Sequence, residues 1–458
     1  MEDISPISKE QQGPNETQQS RLRALPQVSS LALHPRLSDY PDTIRTRAAR
    51  IAVDRARARI LAGTASGEMD LADDAVNEAF RLSAASLGRV LNLTGVILHT
   101  GLGRARLAKA AVDQVAAIAG GYANVEFELD SGKRGDRQAH VAELFCEVTG
   151  AEAALVVNNA AAGVVLALAA LAEGREVILS RGQMVEIGGS FRMPDIVRQS
   201  GCKLVEVGCT NKTRVKDYEA AVGPETGAIL RCHPSNFAII GFAEEPSVAE
   251  LSVLAGQKNV PMIDDQGSGL LVDTLAFGMP RQPTVQDSLR GGADVVVASC
   301  DKLLGGPQGG MLLGSKAAIR TLRTHPIARA FRVDKLTLAA LEATLRLYAS
   351  GREAEIPTLR SLGRELLNVK EDAQALAEAC GGRVEAGITE AGSGSAPGTG
   401  VPTYRVGLDA ASPDELAARL RALPVPIIPR IERETVWLDP RPLQNDEVVE
   451  AVHLLKHL

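Results

Sequence analysis

Between about residue 85 and residue 330, short runs rich in Val, Ile and Leu alternate with longer Ala/Leu segments of helical period. The runs at 154–157, 176–179, 203–207, 228–231, 261–263, 295–299 and 311–313 have the length and apolarity of buried strands. Segments 161–172, 218–221 and 248–256 read as helices between them. This alternation predicts an α/β domain with a mainly parallel, helix-covered sheet. Past residue 330 the period lengthens into helices at 336–349 and 358–380. A Gly/Ser/Pro loop at 391–402 and short strands near 404–406 and 436–438 then describe a smaller α+β domain. Residues 1–20 have no hydrophobic period and are expected to be disordered. The expected organisation is a disordered 1–20, a helical N-terminal domain over 21–84, a large domain over 85–330 and a small C-terminal domain over 331–458.

Aromatic residues make up only 3% of the chain, so Ala, Gly, Leu and Val must fill the core, which suits helices packed on a sheet. A net charge of −6 excludes a bulk nucleic-acid binder and leaves only a local patch for RNA. Such a patch exists between residues 35 and 61, where Arg36, Arg45, Arg47, Arg50, Arg55, Arg57 and Arg59 interleave with Ile44, Ala48, Ile51 and Ala52 at helical spacing. This basic amphipathic helix is either a solvated face or an RNA-phosphate contact, with Arg45, Arg47, Arg50, Arg55 and Arg57 as candidates. The most apolar stretch, 160–172, is too short to span a bilayer. The polar start at Met1 shows no secretory pattern. Six scattered cysteines without a C-x-x-C pair read as reduced thiols of a cytoplasmic protein, with no metal site expected.

The candidate chemistry gathers around Lys302. It follows the apolar run 295–298 and precedes a Leu/Gly-rich turn, so its amine is expected to be dehydrated and nucleophilic. Asp265 closes the apolar run that starts at Pro261. A lysine to bind an aldehyde and a carboxylate to hold a protonated pyridine nitrogen are the two groups that pyridoxal 5'-phosphate needs. Asn158, Asn159, Ala160 and Ala161 lie where a strand passes into a helix, a turn suited to a phosphate. Ser299 supplies a hydroxyl three residues before the lysine, and His233 and Asn236 close another strand. Strand ends are where open α/β sheets bind ligands. The S-x-x-K spacing of Ser299 and Lys302 also suits a serine hydrolase, but the companion S-D-N and K-T-G motifs are missing.

Longer motifs carry a resemblance. Residues 91–105 (LNLTGVILHTGLGRA), 180–195 (SRGQMVEIGGSFRMPD), 265–269 (DQGSG), 301–308 (DKLLGGPQ) and 325–335 (HPIARAFRVDK) resemble the bacterial selenocysteine synthases, the L-seryl-tRNA(Sec) selenium transferases. The resemblance runs from about residue 90 to the C-terminus. It implies a fold-type I pyridoxal-phosphate transferase, aspartate-aminotransferase-like, with Lys302 binding the cofactor aldehyde and Asp265 its ring nitrogen. It further implies that Arg104, Arg329 and Arg332 hold selenophosphate; the last two share one face if that segment is helical. Cys300, Cys209 and Ala160 depart from the residues usual in the family at those positions.

The activity so implied converts seryl-tRNA(Sec) to selenocysteinyl-tRNA(Sec), by β-elimination of the serine hydroxyl and addition of selenium to an aminoacrylyl intermediate. Glu186, His99 and His140 are alternatives for protonating the leaving hydroxyl. Serine-charged tRNA(Sec), selenophosphate and further copies of the chain, up to a decamer, are the implied partners, and no membrane. The alternative is a lyase of the same family that acts on a small amino acid without tRNA.

Overall fold

The computed structural model describes residues 16–64, 70–187, 191–234, 236–237, 239–392 and 399–458. The chain forms two compact units, Met1–Arg89 and Val90–Leu458.

The first unit is helical: α1 (Glu16–Ala24), α2 (Val28–Ala32), α3 (Asp42–Leu61) and α4 (Leu71–Ser83). Residues 16–20, expected to be disordered, instead begin α1, because Gln18 donates its amide to the Ile60 and Leu61 carbonyls at 3.1 and 3.3 Å. The expectation for residues 1–15 lies outside the described residues. Ala48, Ala49, Ala52, Val53 and Ala56 of α3 are buried, and their small side chains let Ala75 and Ala79 of α4 approach closely. Asp70 caps α4, accepting from the Ala72 and Asp73 amides at 3.0 Å each. The arginines of α3 are largely paired: Arg45 with Asp42, Arg55 with Glu78 at 2.6 Å, and Arg57 with Asp54 at 2.7 Å. Arg47 and Arg50 are exposed and make no ion pair among the described residues.

The second unit is built on a seven-stranded sheet. Its strands are β1 (Ala153–Val157), β2 (Glu176–Ser180), β3 (Lys203–Val207), β4 (Thr226–Cys232), β5 (Met262–Gly267), β6 (Val295–Ser299) and β7 (Gly310–Gly314), in the order β1-β7-β6-β5-β4-β2-β3. Pairs among β6, β5, β4, β2 and β3 are parallel, as the alternation predicts. Strand β7 runs antiparallel to both neighbours. The physical reason is the connection from β6: residues 300–309 are too few for a crossover helix, so the chain must reverse. That short return carries Lys302 and holds it at the carboxyl end of β6.

Helix α5 (Lys109–Ala119) and helix α6 (Ala139–Thr149) pack against helix Lys335–Ala349, and α7 (Ala160–Ala172) covers the other face of the sheet. The segment 358–380, expected as one helix, is two, Pro357–Gly363 and Leu366–Cys380. Between them Arg364 leaves the helical conformation and donates to the Pro440, Arg441 and Leu443 carbonyls at 2.9, 3.3 and 3.4 Å, while pairing with Asp372. Four antiparallel strands, Arg383–Glu390, Gly400–Asp409, Thr435–Leu438 and Arg430–Glu432, form the small C-terminal sheet. The loop expected at 391–402 therefore ends where a strand starts at Gly400; its residues 393–398 lie outside the described residues. Among the described residues no helix is long and apolar enough to cross a membrane.

Candidate active site

Strand β6 ends at Ser299, and Lys302 sits in the tight return to β7 with only 6% of it exposed. On the neighbouring strand Asp265 is 8% exposed. Asp265 does not end its strand, as the apolar run predicts: β5 continues to Gly267, with an irregular register between Asp265 and Gly267. A carboxylate inside a buried strand is tolerated because the Lys302 amine stands by to offset its charge. The two groups line one cavity of about 290 Å³ with Arg104, Asn159, Ser299 and the first residues of α7.

Burial dominates the electrostatics. It pulls the Lys302 amine below its ordinary value, opposed by the negative charge of Asp265, so the amine reaches its neutral, nucleophilic form more readily. Burial likewise pushes the Asp265 carboxyl up to about 7; Lys302 opposes this and Asp264 adds to it. The carboxyl is thus poised to ionise when a cation is placed against it.

The phosphate-suited turn is built as a helix start. The Asn159 side chain caps α7 by accepting the Ala162 amide at 2.8 Å, and Ala160 and Ala161 of this first turn line the cavity. Gly310 makes room for this turn, since a Cβ there would sit 2.3 Å from the Asn159 carbonyl oxygen. Asn158 does not line the cavity; its backbone N–H donates to the Phe331 carbonyl at 2.9 Å. His233 donates its backbone amide to the Asp265 carbonyl at 2.9 Å, yet its ring lines a separate 360 Å³ cavity with Gln183 and Glu245. Asn236 also stands apart, donating to the Glu186 carbonyl at 2.7 Å.

Arg104 enters the Lys302 cavity from a left-handed backbone position, φ 62°, and pairs with Asp301 at 2.8 Å. A non-glycine residue held in that region marks a position fixed by surrounding contacts. Arg329 and Arg332 do not share a helix face: the helix Ile327–Ala330 ends between them, and Arg332 forms an isolated bridge with Val157. Neither lines the cavity. Asp301 and Gln308 do line it and were not singled out from the sequence, although both lie within six residues of the lysine. Cys300 is fully buried with its thiol pushed up by burial, so it packs rather than reacts. Cys209 is exposed just after β3, and all six cysteines are free thiols.

Residues 90–444 match the family described as L-seryl-tRNA selenium transferase. The chain belongs to this family. An L-seryl-tRNA(Sec) selenium transferase of Geobacter sulfurreducens is 47% identical over 439 residues, 92% of this chain and 95% of that protein. Its counterpart in Carboxydothermus hydrogenoformans is 43% identical over 460 residues, 95% of this chain and 98% of that one. Among solved structures, D-glucosaminate-6-phosphate ammonia-lyase superposes with a TM-score of 0.59 at 22% identity, covering 82% of this chain and 97% of that one. That likeness concerns the fold, which is the fold-type I architecture of pyridoxal-phosphate enzymes that the family resemblance implies.

Proposed function

We propose that this family member is a pyridoxal-phosphate-dependent L-seryl-tRNA(Sec) selenium transferase, converting seryl-tRNA(Sec) to selenocysteinyl-tRNA(Sec). The observation that carries this reading is near-full-length identity of 47% to a protein of that name, with Lys302 and Asp265 facing one buried cavity.

The residues fit the cofactor. A buried amine suits its aldehyde, a buried carboxyl poised near neutrality suits its ring nitrogen, and the first turn of α7 with the Ser299 hydroxyl suits its phosphate. When bound, the cofactor supplies an electron sink for the charge that develops at the seryl Cα. Lys302, with its amine pulled towards neutrality, is the base for the Cα proton. Asp265 holds the ring-nitrogen proton, and a dry cavity strengthens that contact.

Selenophosphate is the selenium donor in this reading, with Arg104 its primary ligand: the guanidinium already lies in the cavity and would exchange part of its contact with Asp301 for the anion. Arg329 and Arg332 would join it only after the segment following the helix Ile327–Ala330 moves. His233 and Asn236 would join the cofactor site only by moving, since neither lines the Lys302 cavity. In the first unit, Arg47 and Arg50 carry most of the tRNA contact, since Arg45, Arg55 and Arg57 are engaged with acids. The reading includes a homo-oligomer, up to a decamer, working in the cytoplasm where charged tRNA is found.

The test is formation of selenocysteinyl-tRNA from seryl-tRNA(Sec) and selenophosphate by the purified, cofactor-loaded protein. Turnover and a cofactor absorbance band are expected, and both should vanish in Lys302→Ala. A protein that instead releases water or ammonia from a free amino acid, with no effect on seryl-tRNA(Sec), would be the lyase.

A further inference from the structure

The return from β6 to β7 does more than carry Lys302. It is closed at its ends by the Cys300 backbone N–H, which donates to the Gly309 carbonyl at 2.8 Å, and tightened inside by the Gly306 N–H on the Cys300 carbonyl at 2.8 Å. Its far end packs directly on the turn that starts α7. A Cβ at Gly310 would overlap the Asn159 carbonyl, so only glycine lets the two backbones meet. Gln308 is therefore held beside that turn, and its side-chain amide donates to the Asn158 carbonyl at 3.5 Å. It also lines the Lys302 cavity, while remaining exposed to solvent.

The charged groups of this cavity have other work. Arg104 pairs with Asp301 at 2.8 Å and is the ligand for the selenium donor in the reading above. The Lys302 amine and the Asp265 carboxyl offset one another and serve the aldehyde and the ring nitrogen. A phosphate at the first turn of α7 is left to neutral donors. The polar, uncharged side chains lining the cavity are Asn159, Ser299 and Gln308. Asn159 is fixed as the cap of α7, and Ser299 is buried at the end of β6. Gln308 is the exposed one of the three and is held by one long hydrogen bond, so its amide can change partner at little cost.

We propose that Gln308 is a ligand of the cofactor phosphate: its side-chain amide turns from the Asn158 carbonyl to the anion, so that one closed loop presents both the aldehyde-binding amine and a phosphate donor. The separation of six residues between Lys302 and Gln308 then matches the loop to the two ends of the cofactor and favours the phosphorylated aldehyde over its unphosphorylated form. A neutral donor suits the position, because the start of α7 already supplies the positive end of a helix dipole and an amide bonds strongly to an anion. This role for Gln308 rests on the cofactor reading above and names the side chain that reads the phosphate.

The experiment titrates full-length, cofactor-free protein with pyridoxal 5'-phosphate and, separately, with pyridoxal, which carries a hydroxyl in place of the phosphate. Absorbance of the bound aldehyde gives both affinities for the parent, Gln308→Leu and Gln308→Glu. Loss of one donor to an anion should weaken the phosphorylated form about tenfold in Gln308→Leu. Gln308→Glu should weaken it further, since a carboxylate repels the phosphate. Pyridoxal should bind all three proteins alike. The side chain is exposed, so both variants should fold, and thermal melts without cofactor check this. Unchanged affinity for the phosphorylated form in both variants overturns the proposal. An equal loss for the two aldehydes also overturns it, because the residue would then only shape the loop. A parent protein that binds neither aldehyde would count against the cofactor reading instead, and is seen separately as a missing absorbance band.

Discussion

Burial of the Asp265 carboxyl trades stability for readiness. In the cofactor-free protein its folded-state value is about 7, against an ordinary 3.8. A carboxyl raised on folding favours the native state fully below the ordinary value and loses that contribution as pH climbs through the folded value. The cofactor-free protein should therefore lose stability between about pH 4 and pH 7 on this account, by roughly 2–4 kcal/mol. Asp265→Asn, which carries no charge at any pH, should flatten that part of the profile and melt higher than the parent at pH 8. Thermal melts of both proteins from pH 5 to 8 check this; parallel profiles would mean that the carboxyl is not strained. Added cofactor should reverse the order, because its ring cation gives the parent carboxylate a partner that the amide lacks.

At the scale of elements, the break between the helices Pro357–Gly363 and Leu366–Cys380 ties two parts of the second unit together. Arg364 reaches three carbonyls of the segment 440–443, and the buried Arg441 answers by donating to the Ser361 and Arg364 carbonyls at 3.1 and 3.0 Å. Carbonyls buried without donors are costly, so removing the guanidinium strands several of them together with the Asp372 carboxylate. Arg364→Ala should lower unfolding stability by about 3 kcal/mol, read from urea denaturation. Arg352→Ala, whose Glu355 partner is exposed, should leave the urea midpoint nearly unchanged. The helical period of 358–380 gave no warning of this break, because the residues that pull Arg364 out lie some eighty positions away.

For the molecule as a whole, net charge and charge placement point in different directions. The chain is acidic overall, yet the first unit keeps Arg47 and Arg50 exposed on one side of α3. Reversing both to Glu should weaken binding of tRNA(Sec) strongly and reduce the slope of log affinity against log salt by about 1–2. Arg57→Gln, which releases only the exposed Asp54, should change affinity far less. Filter binding across a salt series distinguishes them, and equal losses would place the contact elsewhere. Cofactor uptake by the second unit should be untouched in every case.

Much of this was legible in the sequence, for a local reason. Strand and helix periods are set by which side chains face a core, so β3 and β6 and helices such as α7 can be read to within a residue or two. The Lys302–Asp265 pair was legible too, since a charged residue beside a run of valines signals a buried charge that needs a partner. What sequence could not show depends on distant chain segments. The reversal of β7, the continuation of β5 past Asp265, the pairing of Arg104 with Asp301 and the ion pair of Arg231 with Asp264 are decided by which strands become neighbours. Periodicity is a property of consecutive residues, whereas the charge that each buried group feels is summed over everything the fold brings around it.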